Sequence, residues 1–209
     1  MEVFEREARA LDEAIRDFLA WKGLGVSCRA GCFACCYGWV TASRLEAEAL
    51  LPHLTEAQRA RVRAEGQARL ALLKEAKDDP RFPERFFLLK RPCPLLEGGL
   101  CGVYPHRPLA CRGVLTDEDP GYCQPGNPHP APKAHHGPGH YLKVPHRMAR
   151  MAMERLWEEE GRRYGFVLLG ELSGLLYLLE EGLLSSREET EARLGALGVL
   201  GGRFGYQIV

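Results

Sequence analysis

Apolar positions at Phe4, Ala8, Leu11, Ile15, Phe18 and Leu19 return at steps of three and four. That spacing predicts one amphipathic helix, which Gly23 and Gly25 bring to a stop. Thr41 or Ser43 can cap a short second helix running to Leu51. Thr55 and Gln58 have the spacing of a capping box, and good helix formers carry a third helix to about Lys77. Asp78 to Pro83 breaks it. Helical patterns resume over Arg147 to Arg163 and over Gly165 to Gly182. They return a last time over Arg187 to Leu197, with Ser185 or Ser186 as the cap.

The middle of the chain reads differently. From Phe86 to Cys123 prolines, glycines and cysteines replace the helical period, and Gly98-Gly99 between apolar flanks predicts a tight hairpin. Prolines and glycines from Pro125 to Pro145 predict a long irregular loop. No repeat and no alternating βα pattern is present. The expected fold is mainly α: one helical domain over 1–209 around an irregular cysteine-rich metal-binding centre, with one short β-hairpin. Within it lie a cysteine-rich region at 27–123, a Pro/Gly/His-rich loop at 124–146 and C-terminal helices at 147–200.

With 209 residues the chain can bury a sizeable core without cysteine staples. Its 28 basic and 28 acidic residues cancel, which argues against a nucleic-acid or membrane partner bound through bulk charge. Acids and bases alternate at the N-terminus, so no secretory signal is expected there. The most apolar stretch, Phe166 to Leu184, is interrupted by Glu171, Glu180 and Glu181 and is no membrane span. The expected location is the cytoplasm, where thiols stay reduced.

Against that background the eight cysteines carry the chemistry. Four fall in "CRAGCFACC", from Cys28 to Cys36, and Cys93, Cys101, Cys111 and Cys123 follow on a segment rich in turn residues. A disulfide knot fits neither a reducing compartment nor the adjacent pair Cys35-Cys36. A thioredoxin-like CxxC at Cys32 and Cys35 lacks its βαβ setting and would leave six cysteines unexplained. Buried, unligated thiols are the bland alternative, against which the clustering speaks. Metal binding accounts for the most, since thiolates are the preferred ligands of zinc and of iron–sulfur clusters. Gly102 lets backbone N–H groups turn toward the sulfur of Cys101. Cys28, Cys32 and Cys35 also have the CxxxCxxC spacing of radical S-adenosylmethionine enzymes. The aromatic those enzymes carry before the third cysteine is here Ala34, and their barrel pattern is missing. Neither segment offers a complete ligand set on its own, so the two are expected to meet in space.

Together "CRAGCFACC" and "CPLLEGGLCGVYPHRPLACR", from Cys93 to Arg112, resemble the CxxCxxCC (YkgJ-like) family, described as zinc- or iron-chelating. One extra residue stands between Cys28 and Cys32 relative to the name pattern. The resemblance spans roughly Ser27 to Val114. It implies chelation by Cys28, Cys32, Cys35, Cys36, Cys93, Cys101 and Cys111, with Cys123 outside the motif as a further candidate. A related cysteine motif occurs in bacterial flagellin lysine N-methylases.

A zinc ion on four thiolates carries a net charge of about −2. Arg107 and Arg112 flank Cys111 and could neutralise such a centre or bind an anion beside it. Five histidines, His129, His135, His136, His140 and His146, fall in the long loop, either as metal ligands or as a polar surface. Trp21, Trp39 and Trp157 are expected as core or interface anchors. The sequence thus points to a cytoplasmic metal-binding protein that holds zinc or an iron–sulfur cluster, such as [4Fe–4S], through thiolates of two segments. The surplus of sulfurs over one closed zinc site favours iron–sulfur. A cluster-dependent enzyme, methyltransferase-like or redox, and a zinc-stabilised interaction scaffold stand as alternatives. No nucleotide loop or Ser/His/Asp constellation is visible.

Overall fold

The computed structural model describes residues 2–29, 31–123, 131–137 and 140–209. It is mainly helical, as the pattern predicts. Helix α1 (Glu2–Lys22) buries Phe4, Ala8, Leu11 and Ile15. Strand β1 (Thr41–Ser43) leads into α2 (Arg44–Leu50), where Ser43 closes a full capping box with Glu46. Thr41 therefore belongs to the strand, and Ser43 alone is the cap. Helix α3 (Glu56–Ala76) opens on the Thr55–Gln58 box. A short helix not expected from the sequence, α4 (Phe82–Leu88), follows the break, with proline in its first turn.

The hairpin is β2 (Leu96–Glu97) and β3 (Leu100–Cys101), pairing Leu96 with Cys101 and Glu97 with Leu100. Both turn residues need positive φ, 55° at Gly98 and 79° at Gly99, a geometry that glycine adopts without strain. Helix α5 (Leu109–Gly113) carries Cys111. Helix α6 (Lys143–Tyr164) starts earlier than the pattern predicts, because Pro145 falls in a first turn, where proline needs no N–H partner.

The stretch expected to be one helix from Gly165 to Gly182 is instead strand β4 (Leu168–Glu171) followed by α7 (Leu172–Glu180). Helix α8 (Arg187–Ala196) is capped by Ser186, and β5 (Gln207–Ile208) ends the chain's ordered elements. Strand β4 pairs antiparallel with β1 and with β5, giving a three-stranded sheet in addition to the hairpin.

Two hydrophobic cores flank the cysteine region. One joins α3, α7 and the sheet, and Cys93, Cys101 and Val103 pack into it. The other joins α1, α2 and α6 and takes in Leu109 of α5. Helices α3 and α7 approach so closely that a Cβ on Gly66 would stand 2.5 Å from that of Tyr177. The cysteine-bearing segment is thereby fixed at its start by one core and at its end by the other. Trp39 packs edge-on to Phe82 and Phe86, with ring centroids 4.8 and 5.0 Å away, as an anchor should. Trp21 does not act as one: it stands 75% exposed beneath the Lys22 ammonium. No helix among the described residues is long and apolar enough to cross a membrane.

Candidate metal centre

The first cysteine segment is a run of turns ending in a 3₁₀ helix, Ala34–Tyr37. Hydrogen bonds from Cys32 N to Arg29 O and from Cys36 N to Phe33 O fold it back on itself. Two links then tie it to the second segment. Ser27 N donates to Thr116 O, and Cys93 N donates to Cys36 O at 2.7 Å. The two segments meet, as the incompleteness of each predicts.

Cys28, Cys32, Cys35, Cys36, Cys93, Cys101 and Cys111 line a single cavity of about 320 Å³. Cys123, at the end of the 3₁₀ helix Pro120–Cys123, lines an adjoining cavity with Cys28, Cys32 and Cys35. The eighth cysteine is thus gathered to the others although it lies outside the sequence motif. All eight are free thiols.

Their electrostatics fit a cation. Burial pushes the Cys93 thiol up to about 12 and the Cys123 thiol up to about 11. Cys111 rises well above the ordinary range through burial and the neighbouring sulfurs of Cys35, Cys93 and Cys101. Burial also raises Cys28 and Cys101. Backbone N–H groups oppose these rises: that of Thr116 lies 3.4 Å from Cys28 Sγ, and those of Leu95 and Val103 serve Cys93 and Cys101. The backbone after Cys101 therefore turns an N–H, that of Val103, toward its sulfur. N–H donors aimed at sulfurs gathered around one cavity suit thiolates, and a metal centre would offset the charge they share.

Cys35 and Cys36 divide their roles. Cys36 donates a hydrogen bond to Cys35, which pulls the Cys35 thiol down to about 7 and raises Cys36 in turn. The Arg107 guanidinium adds to the lowering at Cys35. In the metal-free, reduced protein, Cys35 should be the first thiol that iodoacetamide alkylates, with half its maximal rate near pH 7. Cys93 and Cys111 should react only on unfolding. Mass spectrometry of peptides labelled across a pH series reads this order, and Cys111 labelling ahead of Cys35 would contradict it.

The two arginines separate. Arg107 lines the cysteine cavity, with its guanidinium 4.0 Å from the Tyr104 ring centre. Arg112 is buried and braces the loop, within electrostatic reach of the Cys111 thiol. It donates to the carbonyls of Arg107 and Pro105 and pairs with Asp12 of α1. Sequence reading missed Glu46. Its buried carboxylate accepts the N–H of Leu109 at 2.9 Å, so the capping box of α2 also sets the start of the helix that carries Cys111. Burial raises that carboxyl to about 7. Of the loop histidines, His135, His136 and His140 gather around Asp117 and Glu118, in groups that include no cysteine. His146 stacks on Tyr141, and His129 lies outside the described residues.

Fold and site together define a helical protein with a central cysteine cluster. Residues 27–124 match the model of the CxxCxxCC family, whose description is "Putative zinc- or iron-chelating domain". The match takes in all eight cysteines and just under half of the chain, leaving α1 and α6–α8 outside it. The resemblance read from the two motifs is borne out over that segment. No curated protein and no solved structure matches the chain.

Proposed function

We propose that the protein chelates a metal centre in the cysteine cavity, through thiolates of both segments, and that this centre is an iron–sulfur cluster. The observation that carries the reading is the convergence of seven cysteines from two segments on one cavity. Their spacing supports a cluster over a single ion. Four thiolates on one zinc at 2.3 Å stand about 3.8 Å apart. Among the described residues, the triads whose ligand atoms lie within 4.8 Å of one another are built from histidine and carboxylate, with no cysteine in them. Sulfurs spread around a cavity leave room for the larger core of a [4Fe–4S] centre.

Such a centre, when bound, supplies one-electron chemistry or structural bracing. The chain's own contributions are the N–H donors of Leu95, Val103 and Thr116, which steady the thiolates, and Arg107, which offsets their charge from the cavity wall.

Protein purified without oxygen from iron-supplied cells should be brown, absorb broadly near about 400 nm, and contain iron with matching acid-labile sulfide. A colourless preparation with stoichiometric zinc and no sulfide would replace the cluster with zinc and favour the interaction scaffold.

A further inference from the structure

A second set of metal-ligating side chains lies outside the cysteine cavity. We propose that Glu118, His136 and His140 form a site for one divalent transition-metal ion of the zinc class. Glu118 comes from the segment after α5. His136 and His140 come from the loop before α6, where an isolated bridge pairs His136 with Leu142 and Gly137 N donates to Tyr141 O. Both histidines are thus held on one short reversal of the chain, facing Glu118.

The distances suit an ion. His140 Nδ1 lies 3.1 Å from Glu118 Oε2, and His136 Nδ1 lies 3.6 Å from Glu118 Oε1. Ligands bound tetrahedrally at 2.0–2.1 Å stand about 3.3 Å apart. Glu118 and His136 are buried, and the Oε2 atom of Glu118 makes no hydrogen bond among the described residues.

The protonation pattern supports the same conclusion. Lys133 N–H donates to His136 Nδ1 at 3.2 Å, so that nitrogen carries a lone pair. The proton then sits on Nε2, which faces Asp117 Oδ1 at 2.6 Å. The Nδ1 atom of His136 is thus unprotonated on the Glu118 side, and an incoming cation would take over the lone pair that the Lys133 N–H holds at 3.2 Å. Asp117 has its own cation, the Lys133 ammonium at 2.9 Å, and also meets His135. Among the described residues Glu118 pairs with imidazoles alone. A carboxylate on the far nitrogen of a ligating histidine is the usual support for a metal-binding imidazole, and Asp117 occupies that position. Two nitrogens and one carboxylate suit zinc, cobalt or ferrous iron rather than calcium or magnesium. His136 and His140 lie beyond the family match at 27–124, so the site would be this chain's addition to the shared cysteine domain.

Cobalt(II) tests this on the full chain with its cysteine centre left as purified. Equilibrium dialysis should find one further equivalent bound, and its K-edge absorption should show nitrogen and oxygen neighbours without sulfur. Glu118→Gln and His140→Ala should each weaken that binding by at least about tenfold. His146→Ala should leave it unchanged, and circular dichroism would confirm that each variant is folded. His140 sits on a loop and is partly exposed, so its variant serves even if Glu118→Gln proves unstable. No further equivalent, a sulfur neighbour, or unchanged binding in folded His140→Ala would overturn the proposal.

Discussion

Cys111→Ser should lower metal affinity at least about a hundredfold and remove about 3 kcal/mol of stability from the loaded protein. Cys111 is where the physical demands on the site meet. It sits on α5, a five-residue helix too short to be stable alone, pinned through Leu109 to the core of α1 and α6. Burial and the sulfurs of Cys35, Cys93 and Cys101 all oppose its charged form. A metal reverses that penalty, so its binding free energy becomes folding free energy. Cys32→Ser, on the other segment, should have the same effect. The decisive comparison is between loaded and chelator-treated protein in urea. A ligand thiol matters only when metal is present, whereas a core thiol costs the same in both states. Equal losses with and without chelator, or full metal content in both variants, would mean that these cysteines are packing groups. Because bound thiols must lose protons that burial holds on, affinity should also rise with pH as protons are released.

Much of this arrangement can be read from the chain, because its signals are local. The stripe from Phe4 to Ile15 needs only α1 itself, and the boxes at Ser43 and Thr55 satisfy N–H groups three residues away. The Gly98-Gly99 turn likewise depends on its own two residues. The cysteine motif is local in each half, and its two halves meet because each is incomplete. What escapes reading is decided by distant partners. Phe166 to Leu179 is apolar except at Glu171 and Ser173, so no period separates β4 from α7. The strand forms because β1 and β5 supply its hydrogen bonds from opposite ends of the chain. Helix α4 hides behind Pro83, which looks like a breaker but falls in a first turn. Cys123 joins the sulfurs only through the path of the segment after α5. Buried charges are the least visible of all, since Glu46, Glu118 and Arg69 have the spacing of ordinary surface residues.

Arg69→Met should destabilise the protein by about 3–5 kcal/mol, and most of that loss should persist after metal removal. Arg69 is 2% exposed on α3 and spends all three guanidinium nitrogens inside the protein. Nε meets Glu65 and Nη1 meets Glu171, each at 2.8 Å, while Nη2 meets the Pro92 carbonyl at 2.9 Å. Its guanidinium also lies 4.8 Å from the Phe86 ring centre. One side chain thus joins α3 to the end of β4, to α4 and to the residue before Cys93. Glu171 is 1% exposed and caps α7 through Gly174 N at 2.8 Å, so it has to remain where it is. Methionine keeps the length and apolar body of arginine but strands that carboxylate without a cation. The charge should account for most of the cost. Adding Glu171→Gln to Arg69→Met would then restore stability, because glutamine keeps an oxygen for Gly174 N without the buried charge. Urea denaturation of the single and double variants decides the matter. If the double variant is no more stable than Arg69→Met alone, the lost packing over Phe86 and the freed Pro92 carbonyl dominate, and the stranded charge is not the cause.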